Sequence, residues 1–73
     1  MVIQATLNQG IDSFVRVANY LRRKEFAVKK INMEALKENR VDLKIEFEDK
    51  HKQDSIVSFL SKLQDLNEIE VLN

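Results

Sequence analysis

The chain predicts an α+β fold, a two-layer sandwich of β-α-β-β-α-β order, and three observations carry that prediction. The side-chain periodicity switches from alternation to a helical stripe and back in that order. The only Gly, Gly10, falls at the first switch, next to residues able to start a helix. Val41, Leu43, Ile45 and Phe47 alternate with Asp42, Lys44, Glu46 and Glu48, so one sheet face meets a core and the other meets water. This is the ferredoxin-like, split-βαβ arrangement: a four-stranded antiparallel sheet with both helices on one face. In 73 residues it leaves room for one domain, residues 1–73, and any function must sit on its loops, edges or open sheet face.

Each element has its own signal. Ile3, Ala5 and Leu7 alternate with Gln4, Thr6 and Asn8, which predicts a strand over about 2–8. Asp12 and Ser13 offer oxygens to cap a helix start, and Ile11, Phe14, Val15, Ala18 and Leu21 form an apolar stripe running to about Lys24. The basic last turn, Arg22-Arg23-Lys24, suits the negative end of the helix dipole. A second strand is expected over about 27–36, where the change of parity between Val28 and Ile31-Met33 implies a late start or a bulge. Lys37-Glu38-Asn39-Arg40 reads as a hairpin connection, with Asn39 suited to a left-handed conformation. After the third strand, Asp54 is placed to cap a second helix whose stripe is Ile56, Phe59, Leu60, Leu63 and Leu66, with Val57 at its margin. Ile69 and Val71 make a short last strand. The open face then carries Gln4, Thr6, Lys30, Asn32, Asp42, Lys44, Glu46, Glu68 and Glu70.

Composition narrows the function. Without Cys there are no disulfides, thiolate metal sites or thiol nucleophiles, and a reducing cytoplasm is the expected location. No apolar run approaches the roughly 18 residues a membrane span needs, so no membrane partner is expected. Twelve basic and twelve acidic residues cancel, which removes the long-range field that recruits nucleic acid and leaves self-association unopposed. The lone His51 lies in a charged loop and reads as a surface residue, while Ser13 and Ser55 read as helix-start residues without a companion base. Glu46-Phe47-Glu48-Asp49 lacks calcium-loop spacing and reads as solvated strand, so no metal or cofactor is expected. RNA binding on this fold needs aromatic rings on the open face, where the third strand instead shows acids and a lysine. Its only support, Arg22-Arg23-Lys24 with Lys29-Lys30, also reads as a helix end and a guarded edge strand. A copper carrier would need Cys, and an acyl-phosphate hydrolase would need an Arg after the first strand, where Asn8-Gln9-Gly10 has none. What remains is the first strand-to-helix junction, where backbone N–H groups could hold a carboxylate, or which is simply a tight turn.

Phe14-Val15-Arg16-Val17, Arg23-Lys24-Glu25-Phe26-Ala27-Val28, Ile31-Asn32-Met33 and Leu60-Ser61-Lys62-Leu63 with Val71 give the chain a resemblance to the ACT domain. More narrowly, it resembles the short small subunit of acetohydroxyacid synthase (acetolactate synthase). The resemblance implies a non-catalytic regulatory subunit of branched-chain amino acid biosynthesis. Such a chain forms a homodimer by side-by-side sheet pairing and activates a large catalytic subunit that carries thiamine diphosphate. It also implies an amino acid effector held between two copies, by Asn8, Gln9, Gly10, Ile11 and Asp12 of one with Ala27 and Val28 of the other. The pattern departs from the family in two places. The usual Asn-x-Pro-Gly has no Pro here and puts Asp12 at its glycine, and Glu25-Phe26-Ala27-Val28 replaces Gly-(Phe or Tyr)-Asn-Ile. An acid where an effector carboxylate docks adds repulsion, so weak or absent valine inhibition is expected. The alternative function is a stand-alone sensor of a small molecule such as another amino acid.

Overall fold

A computed structural model describes residues 1–72 and has the predicted element order: β1 (Val2–Leu7), α1 (Gly10–Arg23), β2 (Val28–Ala35), β3 (Val41–Phe47), α2 (Gln53–Ser61) and β4 (Leu66–Val71). The strands form one antiparallel sheet ordered β2-β3-β1-β4, with Ile3 opposite Ile45 and Ala5 opposite Leu43 in its centre. The chain therefore has the ferredoxin-like fold. Ile3, Ala5 and Leu7 of β1 and Val41 to Phe47 at alternate positions of β3 share one core with Val17 and Leu21 of α1 and Ile56 and Leu60 of α2. Both helices thus cover the same sheet face, with Phe47 and Leu60 both fully buried in it.

Three elements differ from expectation for identifiable reasons. The buried line of α1 is Ser13, Val17 and Leu21 at intervals of four, with Phe14 beside it. Ile11 and Val15 are instead 60 % and 51 % exposed. The apolar arc of α1 is wider than the face that meets the sheet, and its Ile11–Val15 margin is left uncovered. α1 also starts at Gly10 without a side-chain cap, so Asp12 and Ser13 lie inside its first turn. Leu66 continues the spacing of the α2 stripe but opens β4, because α2 stops at Ser61. Asp54 likewise sits in the first turn of α2, after an uncapped Lys52.

The parity change in β2 is a bulge: Val28 faces Phe47 and Lys30 faces Glu46, leaving Lys29 between them. A second irregularity, between Gln4 and Thr6 on the β1–β4 side, accompanies Glu68 at φ 55°. The β2–β3 hairpin is closed by the Leu36 N–H to the Arg40 carbonyl at 2.8 Å, and Glu38 joins Asn39 in the left-handed region. On the open face the Gln4 amide donates to Asp42 at 3.0 Å and Lys29 lies 3.7 Å from Glu46. Among the described residues no helix is long and apolar enough to cross a membrane.

Candidate functional site

The β1–α1 turn is built by close approach. Gly10 has φ +56°, a conformation that favours glycine, and a Cβ there would press on Asn39, at 2.8 Å from its side-chain Oδ1 and 3.3 Å from its carbonyl oxygen, so the Asn39 side chain would have to move. The turn is then tied down on its far side. The Gln9 N–H donates to Ser13 Oγ at 2.9 Å, and the Ser13 hydroxyl donates to Asp65 at 3.0 Å. Arg16 donates to the same carboxylate through Nε at 3.0 Å and Nη2 at 2.7 Å, and through Nη2 to Gln9 Oε1 at 3.0 Å. The Asn8 amide donates to the Gln64 carbonyl at 2.8 Å and its oxygen accepts from Asn67. The hydrogen bonds from Arg16, then that from Ser13, hold the Asp65 carboxyl below the usual carboxylate range against the opposing effect of desolvation. The Arg16 guanidinium is raised in turn, chiefly by its bond to Asp65.

The seven residues expected to form an effector site divide three ways. Asn8 and Gln9 border a polar groove of about 530 Å³ between α1 and the α2–β4 turn, where their side chains are spent on Gln64, Asn67 and Arg16. Gly10 and Ile11 border a cleft of about 380 Å³ with Met33, Ala35 and Leu36 at the end of β2, while Asp12 is exposed on the first turn of α1. Ala27 and Val28 lie at the other end of β2, with Val28 opposite Phe47. Within one chain the two halves do not meet.

The α1–β2 connection shows how its altered sequence still folds. The Glu25 N–H bonds the Arg22 carbonyl at 3.1 Å and the Phe26 N–H bonds the Leu21 carbonyl at 3.2 Å, the paired bonds of a Schellman helix end. The residue at its left-handed position is Glu25, φ 59°. Phe26 then drops into an aromatic cluster with Phe47, Phe59 and His51 at centroid distances of 6.2, 5.5 and 5.2 Å. His51 is not the solvated loop residue its neighbours suggested. Half-buried, it accepts the Ala27 N–H on Nε2 at 2.6 Å and so fixes the start of β2. Neither this contact nor the Arg16–Asp65 pair has a local signal, since their partners lie 24 and 49 residues apart.

Among the described residues no group of acidic and histidine side chains is arranged to hold a metal ion. The βαββαβ fold hosts regulatory and catalytic roles alike, so the fold alone does not assign one. The ACT domain family model matches residues 10–69, and the chain belongs to that family, whose members serve regulatory or ligand-sensing roles. No curated protein matches the chain.

Proposed function

We infer that this chain is the non-catalytic regulatory subunit of an acetohydroxyacid synthase: it pairs with a second copy and activates the large thiamine-diphosphate subunit, with weak or no valine feedback. Membership of the ACT family supports a regulatory role, and the resemblance carried by Phe14-Val15-Arg16-Val17 and Arg23-Lys24-Glu25-Phe26-Ala27-Val28 favours this branch of it. The observation that carries the reading is the placement of Gly10-Ile11-Asp12 and Ala27-Val28 at opposite ends of β2, so that only two copies side by side could bring them together. Weak feedback rests on chemistry at that place. Asp12 adds negative charge where a carboxylate would dock, Ala27 supplies no side-chain amide, and the Ala27 N–H is already given to His51. Activation needs a docking surface rather than a pocket, and the open face with Asp42, Lys44 and Glu46 offers one. The lack of Cys agrees with a reducing cytoplasm.

Mixing the purified chain with a thiamine-diphosphate large subunit and following acetolactate formation tests the reading. A rise in rate is expected, reduced by charge reversal at Asp42, Lys44 or Glu46. Indifference of the large subunit would favour a stand-alone sensor. Calorimetry with valine, leucine and isoleucine should show no micromolar binding, and such binding would show that Asp12 and Ala27 do not block the site.

A further inference from the structure

The groove between α1 and the α2–β4 turn has the size and the construction of a ligand site. At about 530 Å³ it falls within the range of roughly 300 to 1,000 Å³ usual for small molecules. One wall is Arg16 and Tyr20, a helical turn apart on α1, and the other is Lys62 and Leu63 at the end of α2. Both walls are held in place. Arg16 is fixed by Asp65 and Gln9. The far wall is closed by the Lys62 N–H to the Phe59 carbonyl at 3.2 Å and the Leu63 N–H to the Leu60 carbonyl at 3.1 Å. Asn8 ties the same turn to the end of β1, donating its side-chain amide to the Gln64 carbonyl and its backbone N–H to the Asp65 carbonyl at 3.1 Å. A ligand entering here meets groups already ordered.

The groove has donors to spare and no acid to spare. Arg16 spends Nε and Nη2 on Asp65 and Gln9, and its Nη1 has no partner among the described residues. The Tyr20 hydroxyl and the Lys62 ammonium have none there either. The acceptors are taken: Asp65 by Ser13 and Arg16, Gln9 Oε1 by Arg16, and the Asn8 amide oxygen by Asn67, which leaves only the neutral amide of the exposed Gln64. Unpaired donors without an uncommitted carboxylate select an anion and offer little to an ammonium group. Charge then sets how much of an anion. Asp65 balances the Arg16 guanidinium, and Asp12, a turn earlier on α1, acts on it too. Lys62 is left as the uncompensated cation of the groove, which suits one negative charge better than two. Leu63 and the Tyr20 ring add apolar surface for a short carbon chain.

We propose that this groove binds a short-chain monocarboxylate without an ammonium group, its carboxylate received by Arg16 Nη1, the Tyr20 hydroxyl and the Lys62 ammonium, and its carbon chain laid against Leu63. The site lies within one chain. It stands apart from the expected effector site, because Gly10-Ile11-Asp12 and Ala27-Val28 do not line it and no second copy is needed. Its selectivity is the reverse of an amino acid site: an α-ammonium group would enter beside Lys62 and Arg16 with no free acid to receive it. Arg16 and Lys62 both stay in contact with water, so the affinity is weak, on the order of 1 mM.

Amide NMR titration of the chain at constant ionic strength tests this, with propionate, alanine and inorganic phosphate as the probes. Propionate and alanine share a carbon chain and a carboxylate and differ by the ammonium group, so the pair isolates the charge selectivity. Propionate should give saturable shifts at Tyr20, Leu63 and Gln64 with a dissociation constant on the order of 1 mM. Alanine should bind at least about tenfold more weakly, and so should phosphate at about pH 8, where it is a dianion. Lys62→Gln should weaken propionate binding about tenfold, and Tyr20→Phe should weaken it less. Lys52→Gln makes the same change in net charge at the other end of α2 and should leave binding unchanged. Unaltered amide positions away from the groove show that each variant is folded. Absence of saturable shifts at tens of millimolar propionate, equal binding of alanine, tighter binding of phosphate, indifference to Lys62→Gln, or shifts centred on Ala27 and Val28 overturns the proposal. These readouts omit the large subunit, so a chain that binds propionate but fails to activate it would refute the regulatory reading and leave this site intact.

Discussion

At the scale of single residues, the side chains that hold the candidate turn act through charge and hydrogen bonding. Ser13 is fully buried and serves as acceptor for the Gln9 N–H and donor to Asp65. Ser13→Ala leaves that N–H without its partner, and a loss of about 1 to 2 kcal/mol in denaturant unfolding is expected. Asp65 gives a pH signature. Its carboxyl is held below the ordinary range in the folded chain, so its contribution is complete above the unfolded carboxylate value, about pH 4, and is lost as pH falls through the folded value. Melting curves of the natural chain and Asp65→Asn should therefore differ at neutral pH and converge in acid. Glu25 offers the opposite case, a residue less suited to its place than a simpler one. It takes a left-handed conformation that costs a non-glycine residue about 1 to 2 kcal/mol, only partly offset by the entropy that glycine adds to the unfolded chain. Glu25→Gly should raise stability by about 0.5 to 1 kcal/mol.

At the scale of elements, what could be read from the sequence follows from where each signal is stored. β3 was legible because its two faces meet opposite environments, so alternation records burial directly. The bulge in β2 was legible too, as a change of parity between Val28 and Ile31. The buried face of α1 is not legible in the sequence, because Ile11 and Val15 are as apolar as Val17 and Phe14 and periodicity does not say which part of a wide apolar arc turns inward. The expected site was legible only as positions along the chain. That its parts lie at opposite ends of β2, and that Asn8 and Gln9 are spent on internal bonds, follow from packing between distant segments. The same holds for the α1–β2 connection, where Phe26 meets His51 from the β3–α2 loop. His51→Ala removes both the acceptor for the Ala27 N–H and an edge-to-face ring contact, and about 1 to 3 kcal/mol of stability should go with them. Amide exchange should show the loss concentrated at Ala27 and the start of β2 rather than spread over β1 and β3.

At the scale of the whole molecule, the sheet has two unlike edges and the apolar surface is distributed accordingly. The β4 side is irregular and acidic, whereas the β2 side is apolar on one face and carries separated opposite charges on the other. A domain of 73 residues buries a smaller share of its chain surface than a larger domain does, so covering Ile11, Val15, Ile31 and Met33 would be a large addition to a small core. Pairing of two folded copies would make apparent stability depend on protein concentration. Dilution from about 100 μM to 1 μM should lower the melting temperature of the natural chain by several degrees, since 1 kcal/mol shifts it by about 4 to 8 °C in a domain of this size. A melting temperature independent of concentration would mean that the exposed strip of β2 and α1 serves some purpose other than joining two copies.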